Sequence, residues 1–234
     1  MPTAKEKWKI YNNVFDEFTL RVLHKLEGQG HYSELKSSLS LGKEANIFVA
    51  LQADGTPVIV KIYRLENCNF NKMFDYIKCD PRYLHLKGRR REIIFAWVQR
   101  EFRNLLLARE AGIRVPTVLA VKDNVIVMQC IGTPPALQAK NAALKDPEQF
   151  IKEVVELQKQ LIQKAKLVHA DLSMFNILVD KEKPVFIDMS QSTNIEDSNT
   201  PDYLARDATN VAAMAKRMGV TITKEDILKE WVVK

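Results

Sequence analysis

The stretch HADLSMFNILV, His169 to Val179, decides the fold of this 234-residue chain. It carries a carboxylate, Asp171, and five positions later an amide, Asn176, just before the apolar run Ile177-Leu178-Val179. A second apolar run, Val185-Phe186-Ile187, ends on another carboxylate, Asp188. Alone, Asp171 and Asn176 would do no more than cap a turn, because both side chains bond readily to nearby backbone. With Asp188 they make a set of three oxygen-bearing side chains. Such oxygens are the ligands a hard cation such as Mg2+ accepts beside phosphates.

An Asp, an Asn five residues on and a second Asp ending the next strand is the protein-kinase arrangement. Phosphoryl transfer needs positioning and charge neutralisation more than covalent help. We expect Asp171 to orient the attacking hydroxyl and accept its proton. Asn176 and Asp188 are expected to hold Mg2+ against the phosphates of ATP. His169 is expected to support the backbone of the loop.

Other pieces converge from upstream. VIVKIYR places Lys61 in an apolar strand after the hairpin Asn46–Leu51/Pro57–Tyr63, the position from which a kinase lysine reaches the α- and β-phosphates. A helix is predicted from about Glu92 to Glu110. Ile94, Val98, Leu105 and Ala108 share its apolar stripe, and Glu101 falls on that stripe. A carboxylate there is costly without a cation. The kinase arrangement supplies Lys61 as the expected partner, the alternative being that Glu101 tips to the edge of the stripe and pairs with a nearby Arg or Lys. The phosphate loop is expected at Ser40–Asn46, with Ser40, Gly42 and Lys43 contacting ATP; it holds one glycine where ordinary protein kinases have three. Val125–Ile131 would form the hinge, with the backbone of Gln129 and Ile131 facing adenine.

Further out, Tyr11, Phe15, Phe18, Val22 and Leu26 predict an amphipathic helix closed by Gly28 and Gly30. Ser37–Leu41 reads as a polar approach to the first strand. Residues 65–91 read as a long polar loop. A hairpin over Val115–Val121 and Val125–Ile131, a helix marked by Phe150, Val154, Leu157 and Leu161, and two terminal helices follow. The order predicts an α+β fold of two unequal lobes with a cleft between them.

Charge is uneven. Net charge is +6, but residues 1–117 hold 20 Lys/Arg against 13 Asp/Glu, and residues 118–234 hold 15 against 16. The excess is densest at Arg82, Lys87, Arg89, Arg90 and Arg91. Such a patch attracts polyanions such as RNA, or is simply a solvated loop. Cys68, Cys79 and Cys130 make no disulfide framework or zinc knuckle, and no apolar run approaches a membrane span. A cytoplasmic protein without a membrane partner is expected.

The motifs GKEANIF, VKIYR, REFRNLLLAREAGIRVPTV, HADLSMFNILV and IDMSQS together resemble the RIO family of atypical protein kinases, across nearly the whole chain. IDMSQS is similar to the Rio-one branch; the Rio-two branch has proline where this chain has Ser190 and a winged-helix domain for which residues 1–40 are too short. The absence of a long eukaryotic-style tail implies a minimal, archaeal-like member. The resemblance implies a bilobal protein-kinase-like fold lacking the activation segment and substrate helices. An N-terminal helix and lead-in would occupy residues 1–40 and the RIO kinase domain 41–234, with N-lobe about 41–130, hinge about 129–135 and C-lobe about 136–234. It implies a serine protein kinase or ATPase using ATP and Mg2+ or Mn2+, acting in maturation of the small ribosomal subunit. Pre-ribosomal RNA and proteins would be its partners. By family analogy Asp188 could itself become an aspartyl-phosphate. The family's flexible, autophosphorylated loop falls on 65–91, which here contains no Ser or Thr.

Two other functions use the same residues. A small-molecule phosphotransferase of the aminoglycoside-kinase type shares the Asp171–Asn176 loop but needs a larger helical lobe. A nucleotide-bound RNA-binding module without turnover would use the basic stretch.

Overall fold

The computed structural model describes residues 15–66, 68–78 and 81–231, apart from the side chains of Pro81, Arg82 and Leu84. Tyr11 and Cys79 lie outside the described residues. The chain divides into two compact units. One takes the described residues up to Gln99 with Val118–Cys130; the other takes Arg100–Thr117 with Ile131 onward.

The first unit is built on an antiparallel sheet of β1 (Glu34–Leu41), β2 (Ala45–Leu51), β3 (Pro57–Tyr63), β4 (Val118–Lys122) and β5 (Val125–Gln129), in the order β1-β2-β3-β5-β4. Helix α1 (Glu17–Gly28) starts at Asp16, whose carboxylate accepts the Thr19 backbone N–H at 3.0 Å and the Thr19 hydroxyl at 2.7 Å. Leu20, Val22, Leu23 and Leu26 of α1 share a buried cluster with Phe48, Ala50, Val58, Val60, Ile62, Val125 and Val127. Each such side chain contributes roughly 1.5–3 kcal/mol when fully buried. The helix therefore closes one face of the sheet, and the strands supply most of the remaining side chains of this core. Because strand side chains alternate, Lys61 projects to the opposite face, in register with Ile47 of β2 and Ile126 of β5.

Two segments differ from the sequence reading. The polar approach is itself the edge strand β1, paired to β2. Main-chain hydrogen bonds suffice for that pairing, so six of its eight residues stay exposed and no apolar alternation marks it. Residues 65–91, expected as loop, contain α2 (Phe70–Ile77) and a 3-10 turn (Pro81–Leu86). Asn69 caps α2 by accepting the Lys72 N–H at 3.1 Å, and Met73, Tyr76 and Ile77 are buried. Tyr76 meets Trp97 edge-on at 5.8 Å. Eight residues are too few for a helical period to stand out among polar neighbours.

Helix α3 (Arg90–Glu110) runs as predicted, and Ile94, Val98, Glu101, Leu105 and Ala108 are all buried. The boundary between the units falls within it, after Gln99.

The second unit packs helices α4 (Pro147–Ala165), α5 (Thr200–Arg217) and α6 (Lys224–Trp231) with two small ladders. These are β7 (Ile177–Asp180) with β8 (Lys183–Phe186), and β6 (Leu167–Val168) with β9 (Thr193–Asn194). Asp146 caps α4 through the Gln149 N–H at 2.9 Å, and left-handed Lys166 (φ 55°) ends it. Trp231 is buried and donates its indole N–H to the Val155 carbonyl at 2.9 Å, fixing α6 on α4. Among the described residues no helix is long and apolar enough to cross a membrane.

Candidate active site

The second unit brings the His169–Asn176 loop and the Asp188 segment together through one peptide. The backbone N–H of Ile187 donates to the Asn176 carbonyl at 3.0 Å, and His169 Nε2 lies 3.1 Å from the Ile187 carbonyl. A carbonyl only accepts, so Nε2 carries the proton. The imidazole is fully buried, edge-on to Phe186 at 5.6 Å, with no hydrogen-bond partner at Nδ1. Burial lowers its pKa to about 4, against the opposing pull of Asp188. The ring stays neutral at physiological pH and acts as a strut, the role expected of it.

Asn176 donates through Nδ2 to the backbone carbonyl of Asp171 and to its Oδ2, both at 2.9 Å. The five-residue spacing thus closes a ring of polar contacts, with the Asn176 N–H on the Ser173 carbonyl at 2.9 Å. Asp188 takes a left-handed conformation (φ 59°), and its Oδ1 accepts the hydroxyl of buried Ser190 at 2.7 Å. Such a backbone is unusual for a β-branched or bulky residue but tolerated by Asp.

Sequence reasoning missed three supports. Asp207 of α5 is fully buried and accepts the N–H groups of Ala170 (2.8 Å) and Leu172 (2.9 Å). Burial raises its carboxyl pKa to about 7, although both backbone bonds oppose the shift. Arg206 donates to the Ala170 carbonyl. Asn104 of α3 gives Nδ2 to the carbonyls of Met189 and Ser192, both at 2.8 Å, pinning the chain after Asp188. The signal for Asp207 was present: a carboxylate four residues before buried Val211 and beside buried Ala208. It is the signal that singled out Glu101.

The other expected site residues are distributed as follows. Glu101 is 1% exposed on α3, in the second unit. Lys61 is 6% exposed on β3, in the first, with its ammonium 4.9 Å from the Tyr63 ring centre. Ser40 sits on edge strand β1. Gly42 and Lys43 form the turn into β2, where the Gly42 N–H donates to the Ala45 carbonyl at 3.0 Å. A Cβ on Gly42 would stand 2.7 Å from that carbonyl oxygen, which is why glycine occupies the turn. Gln129 ends β5, and the Ile131 carbonyl accepts the Ala136 N–H at 2.7 Å.

A five-stranded antiparallel sheet with a buried lysine on its third strand, joined to a helical unit carrying the Asp-Asn-Asp loop, defines a protein-kinase-like fold. The Rio2 kinase from Chaetomium thermophilum, solved as an ADP/Mg2+-phosphoaspartate complex, matches 89% of this chain and 64% of its own, with a TM-score of 0.70 at 23% identity. The RIO domain model matches residues 46–228, and the chain belongs to the RIO family. It is similar to the RIO-type serine/threonine-protein kinase Rio1 of Haloferax volcanii, at 36% identity over 216 residues, 92% of this chain and 74% of that protein. Rio1 of Methanocaldococcus jannaschii is 38% identical over 226 residues, covering 96% and 77%. The chain is thus an atypical serine/threonine protein kinase.

Proposed function

We propose that the protein transfers the γ-phosphoryl group of ATP to a serine hydroxyl on the small ribosomal subunit precursor, and hydrolyses ATP when water replaces that hydroxyl. One observation carries the reading: Asp171 is bonded to Asn176 through its own carboxylate and held from both flanking residues by Asp207. A base must be oriented before it can accept a proton in the transition state. As the bond from γ-phosphorus to the ADP oxygen breaks and the serine oxygen bonds to phosphorus, Asp171 receives the hydroxyl proton.

In this assignment Lys61 binds the α- and β-phosphates and pairs with Glu101. Ser40, Gly42 and Lys43 contact the phosphates, and the backbone of Gln129 and Ile131 meets adenine. The donor set fits Mg2+. Asn176 uses its NH2 group on Asp171, so its oxygen is the part offered to a cation, and Asp188 adds a carboxylate. Mg2+ that arrives with a nucleotide needs only one or two protein oxygens. When bound, it neutralises charge on the phosphates. Asp188 is further assigned as an acceptor: a carboxylate oxygen bonds to the γ-phosphorus as ADP leaves, and water later cleaves the aspartyl-phosphate. The Chaetomium Rio2 complex contains a phosphoaspartate, which supports this step.

A single-turnover assay with γ-labelled ATP, with and without small-subunit precursors, tests the proposal. Label should appear on serine, on hydroxylamine-labile Asp188 and in free phosphate. Asp171→Ala should lower transfer by at least about 100-fold. Unchanged transfer and hydrolysis in that variant would end the assignment.

A further inference from the structure

Outside the residues assigned above, the first unit contains a cavity of about 840 Å3 walled by α2, the chain entering α3 and the first turns of α3. Phe70 and Phe74 of α2 and Lys78, which caps its C-terminus, line it at i, i+4 and i+8. Lys87, Arg90 and Ile93 line it from the other side. Both phenyl rings are half-buried, whereas Lys87 and Arg90 are exposed. The Arg90 guanidinium lies 5.3 Å over the Phe70 ring centre. Lys78 Nζ meets Asp75 Oδ1 at 2.7 Å, but both side chains are at least half exposed, where such a pair is weak. The wall carries three cations, one carboxylate and two aromatic faces. Lys87 and Arg90 belong to the basic stretch singled out in the sequence, and the catalytic assignment uses no residue of this wall.

Cations alone would suit any polyanion, and rings alone would suit an apolar side chain. Their combination suits a chain that alternates phosphates with flat π-surfaces. An acidic protein segment would pair the cations yet press carboxylates against both phenyl rings. A volume of this size is typical of a small-molecule site and accommodates a nucleotide. The geometry points to a docking site for single-stranded nucleic acid: a base stacks on Phe74 or Phe70, and consecutive phosphates meet Lys78, Lys87 and Arg90. The site is independent of the phosphoryl-transfer residues.

The test is fluorescence anisotropy on the full chain with a labelled ten-nucleotide oligouridylate, its oligodeoxythymidylate counterpart and a decaglutamate peptide. With three phosphates neutralised, the affinity should fall with salt at a log–log slope of about −2. Lys87→Glu with Arg90→Glu should weaken oligouridylate binding at least about tenfold and flatten that slope. Phe74→Ala should weaken it at least about fivefold and leave the slope in place. Oligodeoxythymidylate binding with the same variant response marks a stacking site indifferent to the 2′-hydroxyl, and tighter oligouridylate binding marks an RNA site; both support the proposal. An acidic residue at position 90 falls in the first turn of α3, where a carboxylate favours the helix, so the charge variant stays folded and carries the test if Phe74→Ala melts early. Failure of oligonucleotides to bind in low salt, equal binding of decaglutamate, or indifference to the charge variant would overturn the proposal. Phosphotransfer measured in parallel should be unchanged by Lys87→Glu/Arg90→Glu, so loss of this site leaves the kinase reading standing.

Discussion

Asp207 grips Asp171 from behind: its two carboxylate oxygens accept the backbone N–H groups of Ala170 and Leu172, the residues on either side of Asp171. Ala170 takes a left-handed conformation (φ 63°), and Arg206 donates to its carbonyl. The loop from His169 to Asn176 is thus shaped by a buried carboxyl group that reaches it from α5.

Replacing Asp207 by Asn should separate positioning from binding. An amide offers one acceptor where the carboxylate offers two, so one backbone N–H loses its partner. We expect a stability loss of about 1–3 kcal/mol in urea melts. kcat should fall at least about tenfold, with little change in KM for ATP. Equal loss in both kinetic constants would show that Asp207 only supports the fold.

His169 and Asp207 should give stability opposite dependences on pH. Folded His169 titrates near 4 and an ordinary histidine near 6.5. The unfolded chain therefore takes up that proton first, and stability is lost as pH falls from about 6.5 towards 4. Folded Asp207 titrates near 7 against 3.8 for an ordinary aspartate, so the folded chain is protonated first. Its contribution is present at low pH and lost as pH rises towards 7. Each slope is at most about 1.4 kcal/mol per pH unit. Urea melts without nucleotide or metal should show a shallow profile for the parent chain. Asp207→Asn should lose stability on acidification more steeply, and His169→Gln should gain it. Parallel profiles for all three would contradict the assignment.

A double-mutant cycle tests the pairing of Lys61 with Glu101. Lys61→Met should keep the sheet intact, since its cross-strand neighbours are Ile47 and Ile126. ATP affinity should nonetheless fall at least about tenfold, as for the loss of a charge-assisted contact. With Glu101→Gln in the same protein, a coupling of about 0.5–3 kcal/mol is expected if the two side chains interact. Strict additivity would place the partner of Glu101 elsewhere.

Gly42→Ala should act locally. Its Cβ would stand 2.7 Å from the Ala45 carbonyl oxygen, so the turn between β1 and β2 must shift. KM for ATP should rise several-fold with little change in melting temperature. An unchanged KM would remove this turn from the nucleotide site.

Particular residues show how much was readable beforehand. The stripe of α3 was legible because twenty-one helical residues repeat their period several times, and Glu101 stood out as a charge among apolar neighbours. Helix α2 was not legible, because its buried Met73, Tyr76 and Ile77 span a single turn. Strand β1 was hidden for a different reason: an edge strand is held by main-chain bonds that any side chain permits. Asp207 gave the same signal as Glu101 but stood thirty-six residues after Asp171, with no spacing rule to connect them.

By itself the chain determined its family and most of its elements. Asp171, Asn176 and Asp188 declare themselves through local order, because a loop and the strand after it fix spacing through covalent geometry. Tertiary structure alone decided what holds that loop in shape: the Asp207 carboxylate on two N–H groups, the neutral His169 against Ile187, and Asn104 on the chain beyond Asp188. It also decided that Phe70 and Phe74 share a wall with Lys87 and Arg90. Those relationships depend on burial and on hydrogen bonds closed across tens of residues. Such bonds exist only when the intervening chain has folded back and excluded water.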